Sequence, residues 1–292
     1  MRVLVTGASG TIGGAVARAL IGRGHTVVGT VTAADRPVPA GVEPLVADLF
    51  DPAALNAAAA SVDAAVHAAS SNDERAGELD TTVVTGLIEA FAGTGKALAY
   101  TSGLWLHGNS GDTVITEESP FDPPLVVSWR PAVEKLLEDA SARDVRTIRI
   151  RPGLVYGGGR GYVPMLLSPQ HDDDGAVVRH FGDGSNRWSV IHADDLGELY
   201  ALAVESAPAG SAYLGTLDES VQIEEAARVV ADKHDARVQD WDPAEAQHNW
   251  GVMVEAFLLD QVATSAKARE ELGWTPSRPG LLDELATASL IS

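Results

Sequence analysis

The sequence predicts an α/β fold, a doubly wound parallel sheet with a smaller, mainly helical C-terminal lobe. Three observations carry this. Arg2-Val3-Leu4-Val5-Thr6 runs without a gap into Gly7-Ala8-Ser9-Gly10-Thr11-Ile12-Gly13, an apolar strand passing through a glycine-spaced turn into a helix. Strand-like and helix-like runs then alternate as far as Pro152, the pattern of parallel strands joined by crossover helices. Beyond Pro152 the alternation weakens and helical runs dominate. Together these define a Rossmann-type arrangement.

The expected strands are Val3–Thr6, Thr26–Thr30, Pro44–Ala47, Asp63–His67, Ala97–Thr101 and Thr147–Arg151. The first helix runs from about Ile12 to Arg23 and is stopped by Gly24. Asp51-Pro52 opens an Ala-rich helix, with Asp as N-cap and Pro in the first helical position. Further helices are expected at Thr81–Ala92 and Pro131–Ala142. Gly157-Gly158-Gly159 and the acidic run His171–Gly175 read as flexible connections, and Val177–Val190 as a strand, a Gly-Asp-Gly turn and a strand. A helix at Asp194–Glu205 and a strand at Ala212–Leu214 follow, then helices at Ile223–Lys233, Ala244–Leu259 and Thr264–Leu272. The expected division is a first domain at 1–156, to which 189–216 returns, and a second lobe from 157–188 and 217–292.

The glycine spacing gives the opening turn a function. Gly7 allows the tight turn, Gly10 lets backbone N–H groups approach a pyrophosphate, and Gly13 lets the helix lie close to the sheet. A helix N-terminus presents free N–H groups and a positive dipole end to phosphates, so a dinucleotide is the expected ligand. The chain has 292 residues with 21 Lys plus Arg against 41 Asp plus Glu, a formal net charge of −20. That surface repels nucleic acid and anionic membranes, and neither is expected as a partner. With no cysteine, disulfides, thiolate nucleophiles and Cys-based zinc sites are excluded. Asp172-Asp173-Asp174 reads as a solvated loop, so no metal is expected. No apolar run approaches the ~20 residues a membrane helix needs, and the first strand begins at Arg2, leaving no room for a signal peptide. A soluble, cytoplasmic protein is expected.

Several separate runs make the chain resemble the extended short-chain dehydrogenase/reductase superfamily, of the epimerase/dehydratase type. They are Thr6–Gly13, Ala47-Asp48-Leu49, Val66-His67-Ala68-Ala69, Arg151-Pro152-Gly153-Leu154-Val155-Tyr156-Gly157 and Ile191-His192-Ala193-Asp194-Asp195-Leu196. Lys267-Ala268-Arg269 and Leu272-Gly273-Trp274-Thr275-Pro276 look like that group's C-terminal signature. Tyr100-Thr101-Ser102-Gly103-Leu104-Trp105 and Ser128-Trp129-Arg130-Pro131-Ala132-Val133-Glu134 look like an atypical subgroup. The resemblance implies a cofactor site at Gly7, Ser9, Gly10, Thr11, Ile12, Gly13, Asp48, Leu49, Ala68, Ala69, Thr101, Arg130 and Pro152, with substrate held between the lobes. It also implies a Ser/Thr after the fifth strand and a Tyr-x-x-x-Lys pair. Here Gly103 takes the Ser/Thr position, Val126 the Tyr position and Arg130 the Lys position. A guanidinium can bind ribose hydroxyls or phosphate, but it does not titrate near neutral pH.

The proton donor is therefore sought among Tyr156, Tyr162, His107, Ser102 and His192, with Ser102, Arg130 and Tyr156 as the catalytic candidates. Trp105, Trp129, Arg187, Trp188 and His192 are expected to frame the substrate, the tryptophans as an aromatic wall. No carboxylate follows the second strand, where an NAD site usually places one, while Thr32 or Arg36 could reach a 2′-phosphate. The cofactor is NADP or NAD, with a slight lean to NADP. The expected activity is an oxidoreductase acting on a small carbonyl, imine or activated alkene. The alternatives are a non-catalytic dinucleotide sensor, a non-redox lyase or cyclase, or a sugar epimerase/dehydratase on the same fold. Homodimers are common among relatives, and the same is expected here by analogy.

Overall fold

A computed structural model describes residues 1–287. The first half alternates β1 (Arg2–Thr6), α1 (Thr11–Gly22), β2 (Thr26–Val31), β3 (Val42–Val46), α2 (Pro52–Ala60), β4 (Ala64–His67), α3 (Ala76–Phe91) and β5 (Ala97–Thr101). There follow β6 (Val114–Ile115), α4 (Arg130–Ala140), β7 (Arg146–Pro152), β8 (Leu154–Tyr156), α5 (Tyr162–Leu167), β9 (Gln170–Asp172), β10 (Gly175–Phe181) and β11 (Arg187–His192). The remainder comprises α6 (Ala193–Ser206), β12 (Ser211–Gly215), β13 (Ser220–Gln222), α7 (Ile223–His234) and β14 (Arg237–Trp241). Last come α8 (Pro243–Trp250), α9 (Met253–Phe257), β15 (Val262–Ala263), α10 (Ala266–Leu272) and α11 (Leu281–Thr287).

Seven strands form one sheet in the order β12-β7-β5-β4-β1-β2-β3, every neighbouring pair parallel. This is the doubly wound Rossmann-type sheet. Its strands read as near-continuous apolar runs because both faces are covered. Residues of α1 and α6 join Val3, Val5, Val66 and Ile148 in one core layer. Residues of α2, α3 and α4 join Leu4, Ala65 and Leu98 in the other. The strand order reverses at β1, so the crevice at the carboxyl ends of β1 and β4 is the switch point where such sheets take ligands. Trp274 is buried against the first layer and its indole N–H donates to the Asp195 carbonyl, 2.8 Å.

The structure departs from expectation in four places, three of them in the second half of the chain. Strands β10 and β11 do not pair with each other across the Gly-Asp-Gly turn. β10 pairs with β9 and β14, and β11 with β8 and β13. His171 and Asp172, expected in a flexible connection, belong to β9, where Asp172 is held by Arg179 and Arg237. The helix expected over 244–259 is broken at Gly251, whose φ of +52° ends α8. Helix α3 begins at Ala76 rather than Thr81. Gly77 lies inside its first turns because the Trp129 ring packs there, 2.9 Å from where a Cβ would sit.

Candidate functional site

The site grows from the turn between β1 and α1. Gly7 has φ +69° and its carbonyl accepts from Gly10 N–H, 2.9 Å. A Cβ on Gly13 would lie 2.3 Å from that same carbonyl oxygen, so only glycine lets α1 lie this close to the turn. Gly10 is the N-cap and no side chain caps the helix, so the first-turn N–H groups of Thr11, Ile12 and Gly13 remain for an incoming anion. A cavity of about 490 Å³ opens beside this turn, lined by Ser9, Gly10, Thr11, Arg18, Arg160 and His192 among others.

On the side where the resemblance puts the adenine ring, against Asp48 and Leu49 with Ala68 and Ala69 lining the same groove, Asp48 is exposed and accepts from Phe50 N–H (2.9 Å), while Leu49 packs into the core layer beneath. Ala68 and Ala69 pack against the two core layers, and their N–H groups are bound to the Thr6 hydroxyl at 3.1 and 3.2 Å. Strand β2 ends in buried Thr30 and Val31, with the Thr30 hydroxyl accepting from Gly7 N–H. Residues 32–36 that follow are exposed, and Asp35 is their sole carboxylate.

On the other side, Arg130 opens α4 and its Nη1 donates to the Ser102 carbonyl, 2.6 Å. The guanidinium fills the space a side chain at Gly103 would need: a Cβ there would sit 2.3 Å from Nη1. Glycine at the usual Ser/Thr position and arginine at the usual Lys position are therefore one paired change. Arg130 Nε is buried without a hydrogen-bond partner among the described residues. One turn along α4, Glu134 is clamped to β7 by Arg151, at 2.9 and 3.2 Å from Nε and 2.5 Å from Nη2. Burial pushes the Glu134 carboxyl up, but Arg151, with Ser102 and Arg149, outweighs it and the pKa is lowered. Thr101 accepts from the Tyr200 hydroxyl, 2.6 Å, which leaves its own proton free. Pro152 ends β7, buried beside Gly215 of β12.

The proton-donor candidates divide. Tyr156 gives its hydroxyl proton to the Pro279 carbonyl at 2.6 Å, and burial raises its pKa, so its place is in packing against His192 rather than facing a substrate. Ser102 is buried, its hydroxyl beside Glu134 without a bond of good geometry. His192 Nδ1 caps α6 by accepting from Asp194 N–H, 3.1 Å. Tyr162 lies against Trp105 and Phe257.

His107 Nδ1 lies 3.1 Å from the Pro120 carbonyl, which can only accept, so Nδ1 carries the ring proton and Nε2 faces Arg151. Burial, then the Arg151 charge, push its pKa down to about 4, so it is neutral at neutral pH and offers no imidazolium. Its folded pKa lies below the ordinary value of ~6.5, so the unfolded chain takes up this proton first. The stability it contributes is complete above roughly pH 6.5 and is lost as pH falls toward about 4. His107→Gln should flatten that window in urea unfolding midpoints and leave the loss at lower pH, where the carboxylates titrate.

Among the expected substrate residues, Trp105 and Trp188 both touch Phe257, with ring centroids 5.5 and 6.0 Å away. Trp188 is buried, its N–H on the Phe257 carbonyl. Trp129 stands apart from that pair, on Gly77 and Asp80. Arg187 is a fastening rather than a free cation: it grips Asp260 through two 2.8 Å bonds and reaches Asp112 at 3.0 Å.

Sequence reasoning missed Asp80, which gathers three donors beneath the seven-stranded sheet's α3–α4 layer: Tyr100 O–H at 2.7 Å, Trp129 N–H at 2.9 Å and His67 Nε2 at 3.2 Å. Thr6 accepts from two backbone N–H groups, so its one proton goes to His67 Nδ1, 2.7 Å away, and Nε2–H points at Asp80. Burial raises the Asp80 pKa, but His67, Arg130 and Trp129 together outweigh it and the carboxyl stays below its usual value. The available signal was a carboxylate on the apolar face of a helix, between Leu79 and Val83-Val84.

An uncapped glycine turn at the switch point of the sheet fits the phosphates of a dinucleotide. The fold and site define a Rossmann-type dinucleotide-binding protein. The model of the NAD dependent epimerase/dehydratase family matches residues 3–214, and the chain belongs to that family. An uncharacterized protein of Schizosaccharomyces pombe is 29% identical over 98% of this chain and 99% of its own length. The 3-diazoavenalumate denitrifying reductase of a Streptomyces species is also 29% identical, over 98% of this chain and 99% of the reductase. Among solved structures, Thermus thermophilus UDP-glucose 4-epimerase in complex with NAD superposes with a TM-score of 0.80 at 22% identity, covering 99% of this chain and 100% of that one. Among the described residues, no helix is long and apolar enough to cross a membrane.

Proposed function

We propose that this protein is an NAD(P)-dependent oxidoreductase that reduces a small carbonyl, imine or activated alkene, with NADP preferred. The carrying observation is Arg130: its guanidinium occupies the volume a side chain at Gly103 would need, and its buried Nε has no acceptor among the described residues. The full-length likeness to a named reductase supports the redox reading. A bound nicotinamide would supply the hydride. The chain's own contribution is to bind and orient. First-turn N–H groups of α1 hold the pyrophosphate, Arg130 holds a ribose hydroxyl or phosphate, and the free Thr101 proton meets a polar atom of ligand or substrate. With Val126 at the usual Tyr position, the proton that follows hydride comes from water, substrate or a non-standard residue. The NADP preference rests on the exposed segment after β2, where Thr32 and Arg36 can meet a 2′-phosphate and no carboxylate directly follows the strand to meet the free hydroxyl.

A second reading, a dinucleotide sensor without turnover, is favoured by Val126 at the Tyr position and by the engagement of Tyr156 with Pro279. Consumption of NADPH and NADH with a panel of ketones, imines and enones separates the two. Oxidation of either cofactor that needs a panel member supports the oxidoreductase, and binding without any turnover supports the sensor. Arg130→Ala should weaken dinucleotide binding by ~1.5–3 kcal/mol, the worth of charge-assisted bonds. Unchanged affinity would remove Arg130 from the site.

A further inference from the structure

We propose that Asp80 is a positioning residue for the nicotinamide half of the site, acting through Trp129 and Arg130. The inference rests on the dinucleotide reading above.

Asp80 lies on α3, 6% exposed, outside the resemblance's set of cofactor residues. Its two oxygens accept three hydrogen bonds from three different elements: β4 through His67, β5 through Tyr100 and the start of α4 through Trp129. Trp129 is the residue immediately before Arg130, and its ring rests on α3 at Gly77 and faces the guanidinium, 5.9 Å from ring centroid to Cζ. At its other end the chain passes through His67 to Thr6, whose hydroxyl holds the backbone of Ala68 and Ala69 beside the glycine turn. One buried carboxylate thus ties the α4 start to the β4 edge of the crevice. It also places a negative charge near Arg130 within the same low-dielectric region, where such a charge is felt strongly.

The glycine turn has its own hydrogen bonds, Gly10 N–H to Gly7 O and Gly7 N–H to Thr30, and none of them passes through Asp80. On the adenosine side the Ala68 and Ala69 N–H groups rest on the Thr6 hydroxyl itself, which bonds His67 and not Asp80, so loss of Asp80 should act on the nicotinamide half through Trp129 and Arg130 and leave the adenosine half near wild type. An amide at this position has one acceptor oxygen and two donors against three incoming donors, so Asp80→Asn must turn at least one of them away.

The test uses the full chain and four probes: NADH, NADPH and their adenosine halves, ADP and 2′,5′-ADP. D80N should lower affinity for the preferred dinucleotide about tenfold or more, while its adenosine half binds within about twofold of wild type, the scale of one or two lost charge-assisted bonds. Trp129→Phe, which leaves the carboxylate two donors, should move the same ratio in the same direction by about threefold, and it serves if D80N fails to fold. Dinucleotide and half falling together, or neither falling, in the folded variants would overturn the inference. A wild-type chain that binds neither dinucleotide would overturn this inference and the oxidoreductase reading together; a binding wild type with an unmoved ratio overturns this one alone.

Discussion

Gly13→Ala should abolish measurable dinucleotide binding, with affinity falling by about a hundredfold or more, equivalent to ~2.7 kcal/mol. The new methyl carbon would lie 2.3 Å from the Gly7 carbonyl oxygen and 2.7 Å from its carbonyl carbon, both backbone atoms with no flexible end to yield. Helix α1 must back away from the turn, and its first-turn N–H groups then miss the pyrophosphate they are aimed at. Stability should fall as well, by about 1–3 kcal/mol for forced overpacking. Gly22→Ala is the control on the same helix. Nothing lies within 4 Å of a Cβ there, so binding should be unchanged. Stability should hold or rise by up to about 1 kcal/mol as unfolded-state entropy falls. Isothermal titration with NADPH and NADH on both variants checks the contrast.

Glu134→Ala should destabilise the fold by about 3–5 kcal/mol in urea unfolding, the usual consequence of breaking a buried pair from one side. Arg151 is 2% exposed, and among the described residues it keeps without Glu134 only the Glu117 carbonyl and the His107 ring as acceptors. Arg149 also loses its second carboxylate and remains with Glu138 and the Gly210 carbonyl. The double variant Glu134→Leu/Arg151→Met should be more stable than either single one, because no unpaired charge is left in the interior. Glu134 lies four residues after Arg130 on α4, so the two share a face. The single variant should therefore weaken dinucleotide binding too, through a loosened α4 start. An unfolding midpoint unchanged from wild type would contradict the assignment of the pair.

Much of the first domain was legible from local signals. The apolar runs of β1, β4 and β5 and the Asp51-Pro52 cap state their structure within a few residues, and the Asp51 side chain does accept from Ala53 N–H, 2.9 Å. The glycine turn was legible for the same reason: its geometry is dictated by residues that touch one another in sequence. What escaped depends on contacts distant along the chain. Gly77 reads as a helix breaker until Trp129 is known to lie on it, 52 positions further on. Strands β10 and β11 resemble a hairpin because the turn residues are right, but β10 finds a better partner in β14, a strand that charged and exposed residues conceal. In the site, Arg187 and Tyr156 carry suitable chemistry in suitable places. Only the fold reveals that Asp260 and Pro279 engage them. Gly103 and Arg130 read as two separate departures from the family pattern, and three dimensions join them into one.

The central claim is that this crevice holds a nicotinamide dinucleotide. Titration of nucleotide-free wild-type protein with NADPH and with NADH, followed by energy transfer from tryptophan to nicotinamide, tests it most directly. The account predicts saturable transfer with both or one, tighter with NADPH, and displacement of the signal by 2′,5′-ADP. A folded protein that shows no transfer with either cofactor would contradict it.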